Sequence, residues 1–276
     1  MNFSTKRYTL PLGQKTYIMG IINLTPDSFF EASRTPPCAA VERAVELVKQ
    51  GAELLDLGAQ STAPNSAPIP FELEAERLLE PLRAIRRAVD VPLSVDTFFP
   101  EVARLAAENG ADILNDVSGS ANRAFADIAA EHGCGWIVMH TGGKKSSETA
   151  AYPNGVLADV NRFFAQAFAA AQAAGLDAAQ LCFDPGIGFG KTRQDDLTVI
   201  RRFDALNSFG CARLAALSRK RVTALCGDTL VGTLTADAAC IQGGADILRV
   251  HDVAQARAGA AMADLIFRKQ ENCNYG

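Results

Sequence analysis

Apolar residues along the chain fall into short unbroken runs, and these alternate with longer stretches in which apolar positions recur every three or four residues. Residues 17–24 (YIMGIINL) are apolar apart from Asn23, which predicts a strand buried on both faces. Residues 38–50 have helical spacing and stop at Gly51, a residue suited to the left-handed turn that ends helices. The alternation then persists. Further strands are expected at 54–57, 92–95, 112–114, 136–139, 181–183, 213–217 and 247–250. Helices are expected at 71–89, with a kink at Pro81, and at 100–109, 121–131, 156–174, 195–207, 233–242 and 253–268. Eight strands alternating with eight helices over this length predict an α/β protein, a (β/α)8 TIM barrel. One domain over residues 1–276 is expected, with 1–16 as a polar lead-in, because no Gly-, Pro- or Ser-rich linker divides the chain. A doubly wound open sheet is the competing fold, but TPDSF (25–29) after the first strand is not the glycine fingerprint that fold usually carries.

Composition narrows the function. The 276 residues carry 27 basic and 31 acidic side chains, a formal net charge of −4, which argues against a general nucleic-acid or membrane-surface binder. No apolar run is long enough to span a bilayer, and the charged start is not a signal peptide. The seven cysteines form no CxxC pair, so reduced thiols and a cytoplasmic location are expected.

A barrel gathers whatever lies just past its strands at one mouth. Those residues are Asn23 and Asp27, Asp56 and Thr62, Asp96, Asn115, His140, Asp184, Lys220, and Arg249 with His251. Taken singly, Asx residues at strand ends are turn formers or helix caps. Taken jointly, two chemistries separate. Asp96, Asn115 and Asp184 suit a flat, nitrogen-rich heterocycle, since a carboxylate accepts two N–H bonds from an amidine-like edge. Lys220, Arg249 and His251 suit a polyanion such as pyrophosphate. Asn23 opposite them could hold Mg2+ through its oxygen. The run CFDPGIGFGK (182–191) is the densest of these strand exits, with a carboxylate, three glycines and a lysine. It is not a phosphate-cradling P-loop, because the glycine spacing is wrong and Thr192 opens no convincing apolar helix.

These residues lie in motifs that together resemble dihydropteroate synthase, a pterin-binding TIM-barrel family of the folate pathway. The motifs are GIINLTPDSF (20–29), GAELLDLG (51–58), SVDT (94–97), ILNDVSG (113–119), VMH (138–140), FDPGIGFGK (183–191), SRK (218–220) and RVHD (249–252). The resemblance covers nearly the whole chain. It implies a transferase that condenses 6-hydroxymethyl-7,8-dihydropterin pyrophosphate with p-aminobenzoate, the target of sulfonamides, and a homodimer. It further implies that Asp96, Asn115, Asp184 and Lys220 bind the pterin with Met139 beside them. Asn23, Arg249 and His251 would hold pyrophosphate and magnesium. Asp27 would cover the reacting centre, and Thr62, Pro64 and Phe189 would flank p-aminobenzoate.

The chain departs from the family's usual pattern at its second loop, which reads GAQSTAPN, with Gln60 for a glutamate and Ala63 for an arginine. Arg221 after SRK is a candidate to take over part of the lost charge. Two other readings stay open on the residues alone. One is a pterin-dependent methyltransferase, which has no need of the SRK and RVH cations. The other is a paralogue that binds pterin without synthase activity.

Overall fold

A computed structural model describes residues 1–24, 36–60, 69–144 and 148–268. Its centre is a closed barrel of eight parallel strands: β3 (Tyr17–Asn23), β4 (Leu54–Gly58), β5 (Leu93–Thr97), β6 (Ile113–Asp116), β7 (Gly135–Met139), β8 (Leu181–Asp184), β9 (Ala212–Ala215) and β10 (Ile247–Val250). The last strand pairs back onto the first, with Ile247 in register with Tyr17. The outer helices are α1 (Pro36–Lys49), α2 (Phe71–Ala88), α3 (Pro100–Glu108), α4 (Arg123–His132), α5 (Val156–Ala174), α6 (Arg193–Arg201), α7 (Thr229–Gln242) and α8 (Val253–Phe267).

The continuous apolar runs become strands because both of their faces are covered. β4 and β7 are buried at every position. Outward side chains such as Leu55, Val95, Val138 and Phe183 pack under the helices, while Met19, Leu54, Ile113, Ile137, Cys182, Leu214 and Ile247 form a second cluster together with Phe3 and Leu12. That second cluster involves a hairpin within the expected lead-in. β1 (Asn2–Ser4) pairs antiparallel with β2 (Thr9–Pro11), and Phe3 is 1% exposed. Three-residue strands carry too short an alternation to stand out in a sequence.

Helix ends follow local chemistry. Gly133 and Gly175 end α4 and α5 in the left-handed conformation, at φ 67° and 85°. The side chain of Asn122 caps α4 by accepting from the Ala124 N–H. Helix α2 continues through Pro81, which is buried. The stretch expected as one helix at 195–207 is instead α6 followed by a 3-10 turn at Phe203–Ala205. Thr192 caps α6 in a box with Asp195, so a helix does begin directly after Lys191.

Candidate active site

The carboxyl ends of the strands bring most of the polar residues to one mouth. Register sets their level: Asn23 pairs with Gly58, Gly58 with Asp96, and Asp96 with Asn115, a rung across β3 to β6. On the other side Met139 is in register with Asp184. Asn115, Met139 and Asp184 are each 3% exposed.

Arg249 is the hub of the first side. Its Nε donates to Asp56 Oδ2 at 2.6 Å and its Nη2 to Asp96 Oδ2 at 2.7 Å. Asn115 Nδ2 donates to the same Asp56 at 3.2 Å, which leaves Asn115 Oδ1 buried and without a partner. A buried acceptor inside a polar cluster needs a hydrogen-bond donor, and a heterocyclic N–H can supply it. Burial pushes the Asp96 carboxyl up and Arg249 pulls it back, leaving it at about 7. Burial opposes the charge on Arg249, but Asp56 and Asp96 outweigh that and hold its proton above the ordinary range.

Asp184 anchors the second side. Its Oδ1 accepts from the Gly186 N–H at 2.7 Å, and burial raises its pKa while Lys220 lowers it. The Lys220 ammonium donates to the Ile187 carbonyl at 2.5 Å and sits 4.8 Å from the centre of the Phe189 ring. Burial lowers Lys220 to about 8 against the opposing pull of Asp184. Lys220 is presented by a strained turn: Arg219 before it has φ 60°, and its guanidinium grips Asp252 with bonds of 2.6 and 3.0 Å. This clasp joins the loops after β9 and β10.

The expected anion group is differently arranged. Arg249 turns toward carboxylates. His251 Nδ1 lies 3.0 Å from Ser218 Oγ, and burial with Arg219 and Arg249 nearby lowers its pKa to about 4. It is therefore neutral at pH 7 and offers hydrogen bonds rather than charge. Arg221 is exposed, on the turn after Lys220. Asp27, Thr62 and Pro64, together with Ala63, lie outside the described residues.

Some residues of the site carried no expected role. Asp56 is a lone carboxylate inside the buried strand LLDLG, which is itself a signal of a polar partner. Asp196 on α6 accepts from the Gly188 N–H at 2.7 Å and so shapes the glycine loop. Lys191 is fully buried, and its Nζ contacts are carbonyls and an imidazole. That placement, rather than the lack of a following helix, is what separates the loop from a P-loop.

Asn23 is exposed at the rim. Among the described residues no group of three or more His, Cys, Asp or Glu could hold a metal ion. A single exposed carboxamide oxygen at the rim fits an ion that keeps its waters and arrives with substrate oxygens.

Comparison with known proteins agrees with this geometry. A family model described as pterin binding enzyme matches residues 19–251. The dihydropteroate synthase of Synechocystis sp. is 34% identical over 265 residues, covering 93% of this chain and 92% of that protein. The Escherichia coli (strain K12) dihydropteroate synthase is 32% identical over 266 residues, 94% of each. Among solved structures, Xanthomonas albilineans dihydropteroate synthase with 4-aminobenzoic acid superposes with a TM-score of 0.88 at 34% identity, covering 96% of this chain and 97% of that one. The same enzyme in complex with 7,8-dihydropteroate gives 0.85 at 33% identity, covering 96% and 98%. The chain belongs to the pterin-binding enzyme family, in the company of its dihydropteroate synthases.

Proposed function

We propose that the protein is a dihydropteroate synthase, joining p-aminobenzoate to 6-hydroxymethyl-7,8-dihydropterin pyrophosphate with release of pyrophosphate. The observation that carries this reading is the polar set at the barrel mouth, buried Asn115 and Asp184 with half-buried Asp96, Lys220 and Arg249, in which Asn115 Oδ1 has no partner. The reaction breaks the bond between the pterin methylene carbon and the diphosphate oxygen, and the electron pair leaves with diphosphate. The aniline nitrogen donates its lone pair to that carbon and then loses a proton.

Each residue has a job in that sequence. Asp184 and Asn115 grip the heterocycle's N–H edge and hold the methylene in line. The carboxylates Asp56 and Asp184, both buried, and half-buried Asp96 favour the electron-poor pterin that forms as diphosphate departs. Lys220 and the His251 imidazole face the departing charge, while Arg249 holds Asp56 and Asp96 in place. Phe189 and Met139 supply apolar walls, and Arg221, on the turn after Lys220, would meet the carboxylate of p-aminobenzoate. On this reading Asp27 would cover the reacting centre, and Thr62 and Pro64 would flank p-aminobenzoate with Phe189. Magnesium, when bound through Asn23, supplies positive charge to the diphosphate. A cationic carbon needs no activated amine, so no general base is assigned.

The decisive assay follows pyrophosphate release with and without p-aminobenzoate. Release that depends on p-aminobenzoate, with dihydropteroate formed, supports the reading. Pterin binding without release makes the protein a binding paralogue.

The protein acts as a homodimer in the cytoplasm on this reading. An exposed apolar stripe on α8 supports the dimer: Ala254, Ala258, Ala261, Met262, Leu265 and Ile266 follow helical spacing, and Met262 and Ile266 are 57% and 58% exposed. Light scattering of the parent and of Ile266→Lys checks this, with a monomeric parent refuting it. Among the described residues no helix is long and apolar enough to cross a membrane.

A further inference from the structure

Lys191 takes no part in the mechanism above, yet its ammonium group is fully buried. Its four polar neighbours are His140 Nδ1 at 2.9 Å and the carbonyls of His140, Gly186 and Phe189 at 3.3, 3.1 and 3.1 Å. None is a carboxylate. A buried ammonium without a paired anion is costly, so the contacts it does make must matter to the loop that supplies them.

That loop is 186–189, which forms one wall of the mouth. Two lysines divide its carbonyls. Lys191 draws those of Gly186 and Phe189 to the back, and Lys220 takes that of Ile187 at the front. The glycines permit the fit: a Cβ on Gly186 would meet the His140 carbonyl at 1.8 Å, and one on Gly190 the Thr141 carbonyl at 1.9 Å. The loop is thus held against the end of β7.

Lys191 is oriented from outside the site. An ammonium only donates, so His140 Nδ1 accepts and the ring proton sits on Nε2. Nε2 then donates to Asp159 Oδ1 at 3.1 Å, and Asp159 on α5 is gripped in turn by Arg162. Burial and the neighbouring Lys191 keep His140 neutral, with its pKa lowered to about 4.

We infer that Asp159, His140 and Lys191 form a positioning unit that sets the 186–189 loop, and through it Lys220 and Phe189, from behind the active site. The inference builds on the synthase reading. The hydrogen bond that His140 Nε2 donates to Asp159 fixes the tautomer, the tautomer admits the ammonium, and the ammonium aims two carbonyls away from the substrates.

The test pairs kinetics with a tautomer readout. The chain has three histidines, so 15N-histidine NMR resolves His140 readily. The parent is expected to show the Nε2–H tautomer from pH 5 to pH 7, where Lys191, lowered by burial to about 8, still carries its proton, with Nδ1 hydrogen-bonded. Lys191→Met is expected to lose that Nδ1 bond and to lower kcat about tenfold or more, the scale of a misplaced wall in a positioned reaction. Asp159→Ala, whose side chain lies outside the mouth, is expected to disturb the tautomer and lower kcat in the same direction. Asp159→Asn keeps an acceptor oxygen and is expected to restore both. Unchanged kcat in folded Lys191→Met, or in Asp159→Ala should Lys191→Met not fold, overturns the inference, as does an Nδ1–H tautomer in the parent. A parent without turnover strikes the synthase reading alone, because the tautomer and pterin binding still report the positioning.

Discussion

Asp237 sets up a measurable conflict between burial and charge. It lies on the inward face of α7 with Thr233, Cys240 and Ile241, is 3% exposed, and neither carboxylate oxygen has a hydrogen-bond partner. Burial alone pushes its pKa to about 8. In the unfolded chain an aspartate titrates near about 3.9. Between those values the folded state holds a proton that the unfolded state has released, so stability falls as pH rises from about 4 to about 8 and then levels. At about 1.4 kcal/mol per pKa unit, the penalty at pH 7 is about 4 kcal/mol, an order-of-magnitude figure and a large share of a typical domain's stability. Asp237→Val removes the ionisable group and leaves an apolar side chain among apolar neighbours. Urea unfolding of parent and variant at pH 4.5, 7 and 8.5 reads the difference. The variant is expected to gain little at pH 4.5 and a few kcal/mol at pH 7 and above, with most of the parent's loss between pH 5 and 8 abolished. A gain of equal size at all three values would refute the ionisation argument, and a net loss would mean that Asp237 has a partner.

Four more outcomes follow from the site. Asp184→Asn keeps the shape but removes the charge, and is expected to lower kcat/KM by the equivalent of about 2–4 kcal/mol; unchanged pterin affinity and turnover would sink its role. Arg249→Met strands Asp56 and Asp96 in the interior and is expected to destabilise the fold by about 3–5 kcal/mol at pH 7. The Asp96 carboxyl, raised to about 7 by burial, takes up a proton as pH falls, so that loss should shrink in unfolding runs at pH 5. Lys220, lowered to about 8 by burial, loses its charge as pH rises through that value, so KM for the pterin pyrophosphate is expected to climb above pH 8. Arg221→Ala is expected to raise KM for p-aminobenzoate with pterin affinity unchanged, and Ala63→Arg in that background to restore part of the loss, both read by steady-state kinetics.

The barrel was legible because each strand is buried on both faces and each helix on one, so hydrophobic period alone separates them. The 156–174 helix was read to the residue, between Gly155 and Gly175, whereas the hairpin at Phe3 was not, since its alternation spans three residues and its burial depends on a barrel floor assembled from β3, β4, β6, β7, β8, β9 and β10. Strand-end chemistry was legible for the same topological reason: a parallel barrel sends every such residue to one mouth whatever else it does.

What a linear reading could not supply was who pairs with whom across that mouth. Arg249 reads as a cation for an anion, yet it spans 193 positions to Asp56 and 153 to Asp96. Strong charge pairs in a low-dielectric interior form wherever geometry allows, and the staggered register that brings β10 beside β3 decides that geometry. His140 and Lys191 follow the same logic. As sequence they are a histidine after a strand and a lysine after a glycine loop, each with an ordinary surface explanation. Only when β7 and β8 pair, placing Met139 beside Asp184, does the lysine fold back beneath the loop it ends and find the imidazole. Catalytic carboxylates can thus be anticipated from their place at strand ends, while the groups that orient the surrounding loops emerge from strand register, which sets the end of β7 beside the end of β8 and so brings His140 within reach of Lys191.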